Sequence, residues 1–329
     1  MKKIMKFSFN KALFLIWLVI FIGISIKSPS FLTAPYIINV MLRNIVEIGM
    51  VALPMTLIII TGGIDLSVGN TMILSAMLGG IAYTKWGTAA AVLATVLTGA
   101  ACGLLNGVII AKAKISAMVT TLATMYLFLG LARGISKGDS VYSYGFAEAL
   151  GNTSLAGLPI QIWIYILLAV IFTLLLGKGL FGRKLYSIGL NVNATRYSGV
   201  NTDRMLIIIY TVCGIICALA AFIFLGRFTS VKYDAGTSFN LKVITIVVLG
   251  GTSIMGGVGD MKGTILGTLI IATLNSGLTV MNIPIDVQTI VQGVVLIIAL
   301  IACAVVTERS KKKRIIKVDT GQTVKAEPV

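Results

Sequence analysis

The sequence contains no histidine and few acidic residues. Its 329 residues include 27 Lys and Arg but only 11 Asp and Glu. Without histidine, the chain lacks the side chain that most often acts as a general acid or base near neutral pH. The G-x-S-x-G and H-E-x-x-H catalytic motifs are also missing. We therefore predict that the chain is not an enzyme and has no catalytic residues.

Metal and nucleotide sites are not indicated either. All four cysteines lie in apolar runs without a nearby carboxylate, which argues against zinc or haem ligation. They are Cys102, Cys213, Cys217 and Cys303. Glycines cluster in GGTSIMGGVGDMKGT, residues 250–264, but a Walker A loop needs Lys between Gly and Ser or Thr. Lys262 instead lies between Met261 and Gly263. The sequence predicts no metal and no bound cofactor.

Charged residues are scarce throughout the chain. They make up 12% of the sequence, the hydrophobic fraction is 57% and the mean hydropathy is +1.00. Soluble proteins carry about 25% charged residues. The net charge of +16 would suit a nucleic-acid partner, but the Lys and Arg residues form short clusters between apolar runs. That pattern is typical of membrane helix ends and predicts a lipid bilayer, with no nucleic acid.

Ten runs without charge are candidates for membrane helices. About 20 apolar residues, rising 1.5 Å each, cross a hydrocarbon core of roughly 30 Å. The runs cover residues 12–26, 48–64, 66–84, 86–111, 115–132, 162–177, 205–226, 243–259, 263–285 and 287–307. The first resembles a signal peptide, but no A-x-A-like cleavage site follows it. The predicted fold class is an all-α integral membrane protein with about ten transmembrane helices.

The distribution of basic residues orients these helices. With a cytoplasmic N-terminus, 19 of the 27 Lys and Arg residues fall on the inner side, as the positive-inside rule requires. We therefore predict that both termini are cytoplasmic. The predicted transmembrane domain covers residues 1–308, with an inner loop at 178–204 and outer loops at 136–160 and 227–242. A basic cytoplasmic tail follows at 309–329.

Two glycine pairs interrupt the apolar runs. IIITGGIDLSVG and IVVLGGTSIMGGVG look alike, and aligning Gly62–Gly63 with Gly250–Gly251 pairs the ends of the second and eighth predicted helices. Glycine weakens a helix by about 1 kcal/mol relative to alanine. Membrane proteins tolerate it where backbones pack closely or unwind beside a cavity. Broken helices in two halves of a chain indicate a transport path. The predicted helix breaks are Gly62, Gly63, Gly250 and Gly251.

Asp65 is the only charged residue between positions 48 and 84. Three roles stay open for it: a cap on the third helix within a tight cytoplasmic turn, a structural hydrogen bond, and a direct solute contact. The preference of Asp and Ser for helix N-caps favours the first. The acid and its neutral hydrogen-bonding neighbours at the two breaks form the predicted translocation path. These residues are Asp65, Ser67, Asn70, Thr252 and Ser253.

Three motifs in register carry a resemblance to a known family. They are TGGIDLSVG, GRKLYSIGLNVNATRYSGV and VLGGTSIMGGVGDMKGTILGTL. Together they resemble the permease subunits of bacterial ATP-binding-cassette (ABC) sugar importers, the family of ribose, xylose, galactose, rhamnose and autoinducer-2 permeases. The resemblance implies a type II importer permease in the bacterial cytoplasmic membrane. It also implies a second permease, identical or sibling, a cytoplasmic ATPase that binds the ATP, and a periplasmic or lipoprotein sugar-binding protein.

The segment GLNVNATRYSGV, Gly189–Val200, resembles the family's coupling helix, which docks on the ATPase. Asn191 or Asn193 can cap a short helix there, and Gly199 has the position of a C-terminal cap. The predicted coupling residues are Gly189, Asn191, Asn193, Thr195, Arg196, Tyr197, Ser198 and Gly199.

The predicted function is import of a monosaccharide, or a similar small polyhydroxylated solute, with energy from a separate ATPase subunit. Two alternatives stay open. A branched-chain amino-acid ABC permease would share the general architecture. An ATP-independent secondary transporter would need a coupling-ion site among intramembrane acids, and only Asp65 is available.

Overall fold

The computed structural model describes residues 2–143, 145–177 and 179–298. The predicted tail at 309–329 and the end of the tenth predicted run lie outside these residues. The helices are α1 (Lys2–Lys27), α2 (Ala34–Ile60), α3 (Val68–Lys112), α4 (Ala117–Ser136), α5 (Glu148–Asn152), α6 (Ile160–Gly177), α7 (Leu180–Leu190), α8 (Val192–Tyr197), α9 (Thr202–Arg227), α10 (Phe239–Leu249), α11 (Met261–Val280) and α12 (Ile285–Ile298). The strands are β1 (Val141–Tyr142), β2 (Ser154–Leu155), β3 (Leu158–Pro159) and β4 (Ser230–Val231).

Seven of the described helices are long and apolar enough to cross a membrane, and α3 accounts for two crossings. Its 45 residues would form a rod of about 68 Å, twice the thickness of a hydrocarbon core. Gly87, with φ 82° and ψ −172°, interrupts the helix. A Cβ on Gly79 would meet the Thr95 side chain, so the two arms of α3 fold back on each other. With the shorter α10 and α12, the ten predicted segments occur in the predicted order.

The predicted start of the second run, residue 48, was wrong because charges inside the bundle are paired. α2 begins at Ala34 and includes Arg43 and Glu47. Arg227 Nη1 donates to both carboxylate oxygens of Glu47, at 2.7 and 2.9 Å, and to the Arg43 carbonyl at 3.1 Å. The side chains of Arg227 and Glu47 are only 10% and 5% exposed. The pair therefore lies within the protein, where a search for uncharged runs does not find it.

The predicted end of the eighth run, residue 259, was also wrong. α10 ends at Leu249, and residues 250–260 are not helical. The 11 residues of α10 rise about 16 Å, roughly half of a hydrocarbon core. α10 is therefore a half-length helix.

Close backbone packing holds the centre of the bundle together. Gly99, Gly103 and Gly107 face α9, and a Cβ on any of them would meet its backbone. Small residues at such spacing allow membrane helices to approach closely. α2 lies at the core, where every residue from Gly49 to Ile60 is buried. The positive-inside rule makes the end with Lys112, Lys114 and the start of α9 cytoplasmic.

The two predicted outer loops meet at the opposite end of the bundle. β1 pairs antiparallel with β4, placing Val141 opposite Val231. α4 extends to Ser136 before the first loop, and α10 begins at Phe239 after the second. The two loops therefore present one joined surface on the outer side.

Candidate functional site

The first glycine pair ends α2 in a Schellman motif. Gly62 has φ 84°, and its N–H donates to the Ile59 carbonyl at 2.9 Å. The Gly63 N–H donates to the Ile58 carbonyl at 3.2 Å. Glycine is favoured at this left-handed position because a Cβ is penalised there. The last carbonyls of α2 are thus satisfied inside the protein, and the chain can turn without leaving unpaired backbone groups.

The second glycine pair ends α10 in the same way, shifted by one residue from our alignment. Gly251 has φ 85° and donates to the Val248 carbonyl at 2.8 Å, and Thr252 donates to the Val247 carbonyl at 3.3 Å. Gly62 therefore corresponds to Gly251, and the predicted pairing of Gly62 with Gly250 was wrong. Gly250 is instead needed for close packing, because its Cβ would lie 2.6 Å from the Gly263 carbonyl.

The two glycine turns touch each other. We call residues 61–67 and 250–260 together the double turn. The Gly257 N–H donates to the Ile60 carbonyl at 2.8 Å, and a Cβ on Gly256 would lie 3.0 Å from the Gly62 nitrogen. Breaks that are almost 190 residues apart in sequence thus form one site.

Asp65 stabilises the first turn by an Asx-type bond and does not cap α3. It is 3% exposed, and its Oδ1 accepts from the Ser67 N–H at 2.9 Å and from Ser67 Oγ at 2.6 Å. Ser67 Oγ accepts in turn from Asn106 Nδ2 at 2.8 Å. The N-cap of α3 is Ser67, which makes no side-chain cap bond. The capping role was therefore wrong, and the structural hydrogen bond describes the contacts.

The double turn has a packed side and an exposed side: Asp65 is 3% exposed, whereas Met255 and Val258 are 85% and 49% exposed. A Cβ on Gly63 would lie 2.6 Å from Tyr210 Oη, so the first turn contacts Tyr210. Tyr210 lies about 12 Å along α9 from the start of that helix at Thr202. Asn106, which bonds Ser67, lies about 9 Å along α3 from Lys112. Asp65 is thus buried while the second glycine turn beside it is exposed, and the cytoplasmic position considered for the first turn stays a prediction.

The other predicted path residues lie at or beside the double turn and are buried. Ser67 and Thr252 are fully buried, and Asn70 and Ser253 are 3% and 4% exposed. Asn70 Nδ2 donates to the Met125 carbonyl at 2.8 Å, and the Ser253 N–H donates to the Val258 carbonyl at 2.9 Å. In this conformation their side chains are closed off from solvent.

The coupling segment, residues 189–200, contains a short capped helix, α8. Asn191 Oδ1 accepts from the Ala194 N–H at 3.0 Å, so Asn191 is the N-cap, while Asn193 lies within the helix. Gly199, with φ 83°, donates to the Arg196 carbonyl at 3.0 Å. A glycine in this position ends α8 as Gly62 ends α2.

Side chains of α8 face two directions. Arg196 Nη2 lies 2.8 Å from Asp203 Oδ1 and also donates to Thr202 Oγ1 at 3.1 Å, which ties α8 to the start of α9. Tyr197 is 91% exposed and Thr195 is buried. A groove of about 410 Å³ between α7 and α8 is lined by Leu180, Arg183, Lys184, Ser187, Asn191 and Ser198, among others. Tyr197 and this groove are thus the exposed features at the coupling segment.

The coupling segment rests directly on the double turn. A Cβ on Gly189 would meet the Ile60 carbonyl oxygen and the Gly257 nitrogen, and the Leu190 side chain lies against Gly257. One helical turn before Leu190, Tyr186 Oη donates to the Gly259 carbonyl at 2.8 Å. Burial and the neighbouring Asp260 carboxylate raise the pKa of Tyr186 to about 12, so its hydroxyl remains a donor. Sequence reasoning missed Ile60, Tyr186, Gly257 and Gly259, because only tertiary contacts mark them.

A bundle of ten apolar segments, with two touching broken helices and an inner helical segment packed on them, defines a polytopic membrane protein of the transporter class. The chain belongs to the family described as branched-chain amino acid transport system / permease component, whose model matches residues 36–300. It is therefore a permease, and the resemblance inferred from the three motifs is confirmed.

Named relatives cover most of the chain. The ribose import permease protein RbsC of Bacillus subtilis (strain 168) is 39% identical over 288 residues, 86% of this chain and 89% of the relative. RbsC of Escherichia coli (strain K12) is 37% identical over 291 residues, 86% and 90% of the two chains. The autoinducer 2 import system permease protein LsrD of Photorhabdus laumondii is 38% identical over 275 residues, 80% and 83%. No solved structure gave a significant match.

Proposed function

We propose that the chain is the membrane-spanning subunit of a bacterial ABC importer in the cytoplasmic membrane, and that it carries a monosaccharide or similar polyhydroxylated solute inward. The relatives named for ribose and autoinducer 2 import support this solute class over branched-chain amino acids. The path residues other than Asp65 are neutral hydrogen-bonding groups, which suit hydroxyl-rich solutes. We expect the chain to need no cofactor of its own, because a separate ATPase subunit would bind the ATP.

The observation that carries this proposal is the contact of the coupling segment with the double turn. Gly189 faces the backbone of Ile60 and Gly257 with no side chain between them. Close-packed backbone has low compressibility, so a displacement of α7 and α8 is passed to the ends of both broken helices. Alternating access needs contacts that differ between two states, and the double turn provides a place where they change.

The exposed surface of α8 is the proposed docking place of the ATPase. Tyr197 offers an exposed aromatic side chain beside the basic groove of α7, and aromatic residues are favoured at protein interfaces. Arg196 is already bound to Asp203 within the chain. The joined outer loops receive the solute from its binding protein, and a second permease, identical or sibling, completes the dimer.

Uptake of radiolabelled D-ribose, the solute in the names of the two RbsC relatives, by proteoliposomes with the complete importer tests this proposal. Tyr197→Ala should reduce ATP-dependent uptake strongly while leaving membrane insertion unchanged. Arg196→Glu should also abolish it, since the new carboxylate repels Asp203 and frees α8 from α9. Leu167→Ala is the control and should transport normally, because Leu167 is 61% exposed on the apolar helix α6. Wild-type uptake by the Tyr197 and Arg196 variants would refute the coupling assignment.

A further inference from the structure

The hairpin of α11 and α12 carries a row of neutral polar side chains that are not fully buried. Asn275, Gln288 and Gln292 are partly exposed, and Thr279 is exposed. Amides elsewhere in the core of the bundle differ, since Asn70, Asn106 and Asn240 are at most 4% exposed. We call Asn275, Thr279, Gln288 and Gln292 the amide stripe.

Hydrogen bonds join the members of the amide stripe but leave much of their capacity unused. Gln292 Nε2 donates to Asn275 Oδ1 at 2.8 Å, and Gln288 Nε2 donates to the Ile283 carbonyl at 2.9 Å and to Thr279 Oγ1 at 3.4 Å. Thr279 Oγ1 donates to the Asn275 carbonyl at 2.8 Å. Each amide has two N–H donors and an oxygen with two lone pairs. Among the described residues, these bonds use the Nε2 groups of both glutamines and leave their side-chain oxygens as acceptors on partly exposed residues.

The α12 helix separates polar from apolar residues. At 100° per residue, Gln288, Thr289 and Gln292 fall within one 100° sector, which also contains the partly buried Leu296. Ile290, Val294 and Ile297 lie on the opposite face and are 64%, 49% and 57% exposed. Polar groups in contact with hydrocarbon are costly, so the apolar face suits lipid and the polar face requires water or protein.

The amide stripe lies in the outer half of the bundle. α11 runs outward from Asp260, and Asn275 lies about 7.5 Å from its outer end at Val280. Tyr36 Oη, near the outer start of α2, donates to the neighbouring Ser276 carbonyl at 2.7 Å. A solute arriving from outside would therefore meet the stripe before it reaches the double turn.

We propose that the amide stripe lines the water-filled outer part of the solute path and binds the hydroxyl groups of a neutral sugar. This inference rests on the proposed function. The stripe has donors and acceptors without charge, which is the chemistry that polyhydroxylated solutes require and that ions do not. These amides also join α11 to α12, and unlike the buried Asn106 they stay partly exposed.

Thiol labelling tests the proposal without depending on transport. Gln292→Cys and its lipid-facing control Ile290→Cys are expressed in full-length chains and treated in intact cells with a water-soluble, membrane-impermeant methanethiosulfonate cation. Gln292→Cys should react at least about tenfold faster, because thiolate formation needs water. Gln288→Cys, one turn away on the same face, serves if the first variant does not fold. The unmodified chain, in which Cys102, Cys213 and Cys217 are buried, gives the background.

Experiments with added sugar distinguish a failure of this inference from a failure of the proposed function. D-ribose should slow labelling of Gln292→Cys in the complete importer, and Gln292→Leu should lower D-ribose uptake several-fold while Gln292→Asn restores part of it. Equal labelling of positions 290 and 292, with D-ribose uptake intact, would overturn the stripe and leave the proposed function standing. Labelling of Gln292→Cys without any sugar uptake or protection would overturn the sugar assignment itself.

Discussion

Gly189 is the position where one added methyl group should affect transport most. A Cβ there would lie 3.0 Å from the Ile60 carbonyl carbon and closer still to the Ile60 oxygen and the Gly257 nitrogen. All three are backbone atoms, so no side chain can rotate away. Overpacking of this kind costs about 1–3 kcal/mol. If the contact changes between the two transport states, the same energy shifts their ratio by a factor of about 5–150.

We expect Gly189→Ala to reduce ATP-dependent D-ribose uptake by about tenfold or more, within the range that this energy allows. Gly130→Ala in α4 is the matched control, because a Cβ there meets nothing within 4 Å. Tyr186→Phe probes the same contact without a clash. It removes the bond to Gly259, worth about 0.5–1.5 kcal/mol, and should lower uptake about two- to tenfold. Normal uptake by both Gly189→Ala and Tyr186→Phe, in correctly inserted protein, would refute the reasoning.

Three further predictions concern single contacts. Asp65→Asn should retain uptake within about twofold, because the amide oxygen can form the same Asx turn; loss of uptake with normal folding would show that the charge is needed. Glu47→Gln should leave its arginine partner on α9 buried without a counter-charge and cost about 3–5 kcal/mol in thermal unfolding. Its control, Lys232→Ala in an exposed pair, should cost at most about 1 kcal/mol, and equal losses would contradict the burial argument. Asn191→Ala should remove the α8 cap, worth about 1 kcal/mol, and speed amide exchange in α8, whereas Asn193→Ala should not.

Helix number and order could be predicted because a lipid environment requires long runs without charge. The predicted helix boundaries were wrong where tertiary contacts pair a buried charge or end a helix early. Glu47 is tolerated inside α2 because Arg227, on a distant helix, neutralises it. α10 stops at Leu249 because Gly251 adopts a left-handed conformation, which composition alone does not assign to one member of a glycine pair.

In the candidate site, too, features encoded by neighbouring residues could be predicted, whereas features that depend on distant contacts could not. The glycine pairs marked both breaks, and the cap signals of α8 marked Asn191 and Gly199, since these signals are local in sequence. The contact of Gly189 with Ile60 and Gly257 joins three distant segments, so no local pattern indicates it. Residue preference favoured a cap among the three roles left open for Asp65, whereas its partner is the neighbouring Ser67.

We propose that this chain is a passive conduit whose energy arrives from a separate subunit through the coupling segment. Radiolabelled D-ribose uptake into proteoliposomes, with and without the ATPase and binding protein, tests it most directly. Accumulation is expected only when the chain, both partners and ATP are present. Accumulation by the chain alone on an ion gradient would contradict it.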